Sequence, residues 1–150
     1  MRYLYLRKIK QGIFVSIKRG KMNIEESLSN VEKLMDLKKY DDAERLCSDI
    51  ISFQKDRSVS ISWLAEAFNI LGLIMYKKVE FIKAQSLYKK SFEMDPSFAP
   101  AYYNHGVINY RLGMFEFAVK DFQKAVELDP DNLEFSAGLE ASKIALGGLK

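Results

Sequence analysis

Beyond residue 24, apolar positions recur at three- and four-residue intervals, the period of a helix with one buried face. Leu28, Val31, Leu34 and Leu37 line one predicted helix, and Tyr40, Ala43, Leu46, Cys47, Ile50 and Ile51 line the next. The pattern resumes with Phe68, Leu71, Met75 and Val79 over 65–78, then with Ala84, Leu87, Tyr88, Ser91 and Phe92 over 82–94. Tyr102, His105, Asn109 and Leu112 mark a further helix, and Ala118, Phe122, Ala125 and Val126 its partner. A last stretch, 133–146, carries Leu133, Ala137 and Ile144 and meets a C-terminal stop at Gly147-Gly148. The pattern predicts an all-α chain.

Two of these helices are punctuated alike. Asp95-Pro96 and Asp129-Pro130 end them, because proline lacks a donor and biases its predecessor away from helix. Ser97 and Asp131 are the expected N-caps of the following helices, Asp131 forming a capping-box-like pair with Glu134. Sliding the chain against itself by 34 residues pairs 65–98 with 99–132, and 11 of the 34 pairs are identical. About two would be expected from ordinary residue frequencies. The identities include Gly72/Gly106, Tyr76/Tyr110, Phe81/Phe115, Ala84/Ala118 and Pro96/Pro130. In an antiparallel hairpin the spacing of Gly72 from Ala84, and of Gly106 from Ala118, sets one small residue opposite another and lets the backbones approach. A larger side chain there would overpack, at about 1–3 kcal/mol.

These units resemble tetratricopeptide (TPR) repeats. The family pattern Trp-x2-Leu-Gly-x2-Tyr, Ala-x3-Phe and Pro appears as Phe68-x2-Leu71-Gly72-x2-Met75, Ala84-x3-Tyr88 and Pro96. Its second copy reads Tyr102-x2-His105-Gly106-x2-Asn109, Ala118-x3-Phe122 and Pro130, with departures at Met75, His105 and Asn109. Upstream, 24–57 reads as a degenerate unit in which Val31 replaces the Gly and Lys55 the Pro. The Ser-rich stretch 56–62 then inserts about seven residues into the period, which would splay the first hairpin from the rest. The resemblance implies an α-solenoid of about three stacked antiparallel hairpins (24–57, 65–98 and 99–132) plus a helix at 133–147 that caps the array or is half of a further repeat.

Composition sets bounds. With 150 residues, 48% apolar and 29% charged, the chain suits one domain or a short repeat array. The single Cys47 excludes an internal disulfide and a zinc site of several thiolates. No apolar run approaches the ~20 residues of a spanning helix. The net charge of +3 hides an asymmetry. Residues 1–22 hold Arg2, Arg7, Lys8, Lys10, Lys18, Arg19 and Lys21 and no acid, whereas the remainder has 16 basic and 20 acidic residues. This basic arm lacks the apolar region and cleavage site of a secretory signal, so a cytoplasmic location is expected. It reads as a weak peripheral contact for an anionic membrane or nucleic acid, a frayed tail, an extra packing helix, or a start upstream of Met22.

Candidate chemistry is sparse. His105 stands where the family pattern has a buried Leu and reads as a packing histidine, with no Asp, Cys or second His at ligand spacing on its helix. Cys47 sits on an apolar stripe and reads as a packed thiol. Glu25, Glu26, Glu32, Asp36, Asp41, Asp42 and Glu44 are interleaved with Lys33, Lys38, Lys39 and Arg45, the pattern of a solvated face. No phosphate loop, nucleophile elbow or His-Glu-x-x-His pattern occurs, so no catalytic residues, metal or cofactor are expected.

By the same resemblance, the first helix of each hairpin lines a concave groove. The groove-facing positions are Glu66, Asn69, Leu73, Tyr76 and Lys77 in one unit and Pro100, Tyr103, Asn104, Val107, Tyr110 and Arg111 in the next, all but Glu66 and Pro100 being the candidate binding residues. Tyr and Arg often anchor protein interfaces. The expected ligand is a peptide or helix of another protein, with Asn69 and Asn104 bonding its backbone and Lys77 and Arg111 meeting its acids. Relatives that grip a chaperone's C-terminal carboxylate use a clamp of Lys, Asn, Asn, Lys and Arg. Here only Asn104 fits, the other positions being Asn69, Leu73, Glu134 and Gly138, so that clamp is disfavoured. A second class is a self-assembling scaffold through Phe135, Leu139, Leu146 and Leu149 of the terminal helix. A third, RNA binding, is disfavoured because 65–132 carries 8 basic and 9 acidic residues.

Overall fold

The computed structural model describes residues 24–54 and 60–148. They are all-α, seven helices packed as antiparallel hairpins, and they divide into two compact units on either side of residue 58. The basic arm 1–22, Lys55, residues 56–59 of the expected insertion and Leu149 lie outside the described residues.

The first unit is one hairpin, α1 (Ile24–Asp36) and α2 (Tyr40–Gln54). Leu28, Val31, Leu34, Ala43, Cys47 and Ile50 are all buried, as their period requires. Cys47 is buried, as its place on the apolar stripe predicts. Within the acidic stretch Arg45 lies 3.9 Å from Asp42, one turn away along α2.

The second unit contains α3 (Ile61–Lys77), α4 (Phe81–Met94), α5 (Ala99–Arg111), α6 (Phe115–Leu128) and α7 (Leu133–Gly147). Each helix packs on the next in the chain, and the first helices are neighbours too, α3 with α5 and α5 with α7. Helix α3 starts four residues ahead of the 34-residue register, since Ile61-Ser62-Trp63-Leu64 contains no breaker and the Ser60 carbonyl accepts from the Trp63 N–H at 3.1 Å.

The turns inside the three hairpins share one construction. In each, a left-handed residue follows the first helix: Lys38 (φ 55°), Val79 (φ 65°) and Gly113 (φ 74°). Lys39, Glu80 and Met114 then donate to the carbonyls of Leu34, Met75 and Asn109, at 2.9, 2.9 and 2.8 Å. Val79, Gly113 and Lys38 close the inner bonds to Tyr76, Tyr110 and Met35. This is the Schellman arrangement, which satisfies carbonyls that a helix end leaves open.

Two local expectations need correction. Ser97 caps nothing: its N–H and hydroxyl both donate to Asp95, forming a turn, and Phe98 precedes α5 with no side-chain cap. Asn132, not Asp131, caps α7, its Oδ1 accepting from the N–H groups of Glu134 at 3.1 Å and Phe135 at 3.3 Å. The chain has one more extended residue after Pro130 than the capping-box reading allowed. The glycines also act differently from expectation. A Cβ on Gly72 would lie 2.6 Å from Tyr88 Cε1, and one on Gly106 3.1 Å from Phe122. It is the aromatic one turn beyond Ala84 or Ala118 that fills the space above the glycine.

Candidate interaction face

The face carried by α3, α5 and α7 is built by side chains that reach from one first helix to the next. Residues 34 or 35 apart in sequence occupy neighbouring helices at like heights, so the repeat itself sets the pairs. Asn104 Nδ2 on α5 donates to Asn69 Oδ1 on α3 at 2.9 Å. At the other end of the same helices Arg111 donates to the Tyr76 phenol oxygen. The Arg111 guanidinium also lies 5.4 Å from the centre of the Tyr76 ring and 5.7 Å from that of Phe81, a cation–π contact with both. Across the α5–α7 step, the Tyr103 phenol donates to Glu134 Oε1 at 2.8 Å.

Tyr103 is the pivot of this face. Its ring stacks on Phe135 with centroids 5.0 Å apart and tilts against Phe122 at 5.4 Å. Burial, then the bond to the Glu134 carboxylate, pushes its phenol up to about 12. Val107 packs on the buried cluster of Ala118, Phe122 and Leu139, so it supports the face from below. Tyr110 sets its ring edge-on to Phe115 at 5.3 Å, and Tyr76 tilts against Phe81 at 5.6 Å. Both tyrosines therefore lean on the partner helix of their own hairpin while staying partly accessible. Leu73 is half-buried and Lys77 is exposed at the end of α3.

The structure thus joins Asn69 with Asn104 and Tyr76 with Arg111, and seats Tyr103 and Val107 in one cluster. Lys77 and Tyr110 stand at the rim. Phe81 and Glu134 complete the face. Phe81 was visible as a 34-residue identity with Phe115, but its role under Arg111 required the packing of α4 beside α5.

His105, expected as a packing histidine, is partly buried with its ring edge-on to Phe92 at 5.4 Å, and its Nδ1 lies 2.8 Å from Asp121 Oδ2. Asn109 Nδ2 donates to the same carboxylate oxygen at 2.7 Å, and Gln85 Nε2 donates to Asn109 Oδ1 at 2.7 Å. The chain links α4, α5 and α6 through partly buried groups, each satisfied by the next. Its carboxylate comes from the neighbouring helix, which a search along the His105 helix could not find.

The terminal helix differs from the scaffold expectation as well. Phe135 and Leu139 are buried, Phe135 with Ala99 and Ala125, and Leu139 with Ala118 and Phe122. These two anchor α7 inward, whereas Leu133 and Ile144 of the same helix are exposed. Among the described residues, no three of His, Cys, Asp and Glu come together to hold a metal ion. No described helix is long and apolar enough to cross a membrane.

A stack of helical hairpins whose first helices share one laced face has the architecture of an α-solenoid. Residues 99–132 match the tetratricopeptide repeat family, so the chain carries a TPR repeat, and its fold is that of solved TPR domains. Over 119 residues, 79% of the chain, it is 30% identical to small glutamine-rich tetratricopeptide repeat-containing protein 2 of Mycosarcoma maydis, covering 32% of that protein. Over 67 residues, 45% of the chain, it is 42% identical to a UDP-N-acetylglucosamine–peptide N-acetylglucosaminyltransferase of Giardia intestinalis, covering 4% of it. The chain therefore spans about a third or less of these curated relatives.

Among solved structures, MamA superposes with a TM-score of 0.74 at 20% identity, over 95% of this chain and 77% of MamA. The first TPR of Spaghetti (RPAP3), solved with the HSP90 peptide SRMEEVD bound, superposes with a TM-score of 0.71 at 20% identity. That match covers 84% of this chain and 97% of the other.

Proposed function

We propose that the first-helix face of the second unit binds a segment of a partner protein, and that the protein works as a non-catalytic interaction module. The observation that supports this most directly is the row formed by Asn69–Asn104, Tyr76–Arg111 and Tyr103–Glu134 across three helices. Such cross-helix bonds hold the aromatic and amide groups in place before a ligand arrives, which lowers the ordering cost of binding. One Asn–Asn bond uses a single donor and a single acceptor, so both amides keep capacity for a partner's backbone. Lys77 and Arg111 place two cations at one end of the row for acidic residues of the partner.

The segment we favour is internal rather than a carboxylate terminus. The HSP90 peptide in the RPAP3 structure, SRMEEVD, has three acids among its last four residues, whereas this face carries Glu134 and Leu73 at positions where the carboxylate clamp has a cation and an amide. A second carboxylate beside Glu134 would be repelled.

Peptides selected from a displayed library on the parent protein test the reading. Tyr103→Ala and Arg111→Glu are each expected to weaken the selected peptide by at least about tenfold, the scale of an interface anchor, with helicity unchanged by circular dichroism. Full binding by both variants would place the site elsewhere. Titration with SRMEEVD is expected to give no saturable binding, and tight binding would overturn the internal-segment reading alone.

A further inference from the structure

The turns inside the second unit's hairpins, with the helix starts that follow them, form an edge that is both apolar and cationic. Arg111, the last residue of α5, rests on Tyr76 and Phe81 on either side of the α3–α4 turn, so the turns 78–80 and 112–114 lie next to one another. Four apolar side chains project from these turns and from the first turns of α4 and α6: Val79 is 69% exposed, Ile82 73%, Leu112 42% and Phe117 58%. Val79 is held there in the left-handed region where the equivalent position of the next repeat has glycine.

Cations surround these tips. Segments 77–83 and 111–120 contain Lys77, Lys78, Lys83, Arg111 and Lys120 against only Glu80 and Glu116. Glu80 is ion-paired with Lys83, and Lys120 lies 5.8 Å from the centre of the Phe117 ring. The opposite edge, where each hairpin joins the next element, is the reverse in charge, although Ile61 and Leu133 at the helix starts there are exposed too. Segments 93–98 and 127–132 hold Glu93, Asp95, Glu127, Asp129 and Asp131 and no cation, with Glu127 ion-paired to Lys124 on α6 and Glu93 to Lys89 on α4.

We propose that the 77–83 and 111–120 edge docks on an anionic lipid surface, with Val79, Ile82, Leu112 and Phe117 entering the headgroup–acyl boundary. The occupant follows from two independent features. Apolar tips that protrude singly suit a yielding medium better than a rigid partner, which would need a matching pocket for each. Opposite charge on the two edges turns this edge toward negative potential and holds the acidic edge away. Docking here leaves Asn69, Tyr103 and Asn104, nearer the middle of their helices, open to a partner.

Co-sedimentation of the full chain with vesicles tests the assignment. Binding to phosphatidylcholine containing roughly 30% phosphatidylserine is expected to exceed binding to pure phosphatidylcholine by about tenfold and to fall as salt rises. The pair Ile82→Asp and Phe117→Asp is expected to lower the bound fraction about tenfold at unchanged helicity. Because the arm 1–22 carries seven cations of its own, the apolar pair rather than a charge variant decides. Tyr103→Ala is expected to leave vesicle binding intact while weakening the selected peptide, which separates the two surfaces. Equal binding to neutral vesicles, or an unaffected Ile82/Phe117 pair, overturns the proposal. So does a chain that ignores vesicles yet loses a protein partner with that pair, since the edge would then be a protein interface.

Discussion

At the scale of single residues, two aromatic rings carry strong constraints. Tyr88 is almost wholly buried, and its ring edge would lie 2.6 Å from a Cβ on Gly72. Replacing a helical glycine by alanine ordinarily gains about 1 kcal/mol of helix propensity. Here a rigid, enclosed ring cannot withdraw, so overpacking of about 1–3 kcal/mol opposes and outweighs that gain. Gly72→Ala is therefore expected to lower the urea midpoint, and a raised midpoint would show that Tyr88 can move. Tyr103 gives a pH dependence. Its phenol is near 12 in the folded protein against an ordinary value near 10. Between these values the unfolded chain has released the proton that the folded chain keeps, so the unfolded state binds fewer protons and stability falls as pH rises through the window. Tyr102 is raised by burial in the same direction. Urea midpoints from pH 8 to 11.5 should decline, and Tyr103→Phe should flatten part of that decline. An identical slope in the variant would deny Tyr103 a role in it.

At the scale of elements, the three left-handed turn positions make a natural comparison. Lys38, Val79 and Gly113 serve the same Schellman closure, but only glycine does so without a Cβ penalty. A β-branched residue in that region is costly. Val79→Gly is expected to raise stability by about 1 kcal/mol, since relief of the left-handed strain exceeds the extra chain entropy of glycine. A midpoint that falls instead would mean that the exposed valine side chain makes a stabilising contact. These turns also show how far a sequence could be read. The 34-residue identities located the hairpins of the second unit, because the packing of small residues and the Asp-Pro stops are local and repeat with the fold. Caps were read less well: Asp131 and Asn132 are both good capping types, and only the backbone path selects Asn132. The His105–Asp121–Asn109–Gln85 chain was illegible, because its members come from three helices and the family pattern offered an apolar residue in place of the histidine. The candidate residues of this face follow from register, yet their mutual bonds do not: Asn69 and Asn104, expected to meet a partner's backbone, are bonded to one another.

At the scale of the whole molecule, the second unit is a stack in which each hairpin leans on its neighbours, and its stability should be distributed accordingly. Helix α7 packs on α5 and α6, with Phe135 and Leu139 buried there at 5% and 6% exposure. Burial of side chains of this size contributes about 1.5–3 kcal/mol each. The ring of Phe122 is held on both sides, beneath Gly106 of α5 and Gly138 of α7, where a Cβ would come within 3.1 and 2.8 Å. Removing residues 133–150 would open one side of that ring and expose Tyr103 and Val107 as well. In a nearest-neighbour stack the loss should be felt first in the adjoining hairpin and only weakly in the one beyond. Hydrogen exchange read by mass spectrometry should show the truncated chain losing protection mainly over 99–128, with 61–94 retaining more of its own. A uniform loss over both segments would mean that the second unit opens as one cooperative block, and that its stability does not divide among repeats as the thirty-four-residue period suggests.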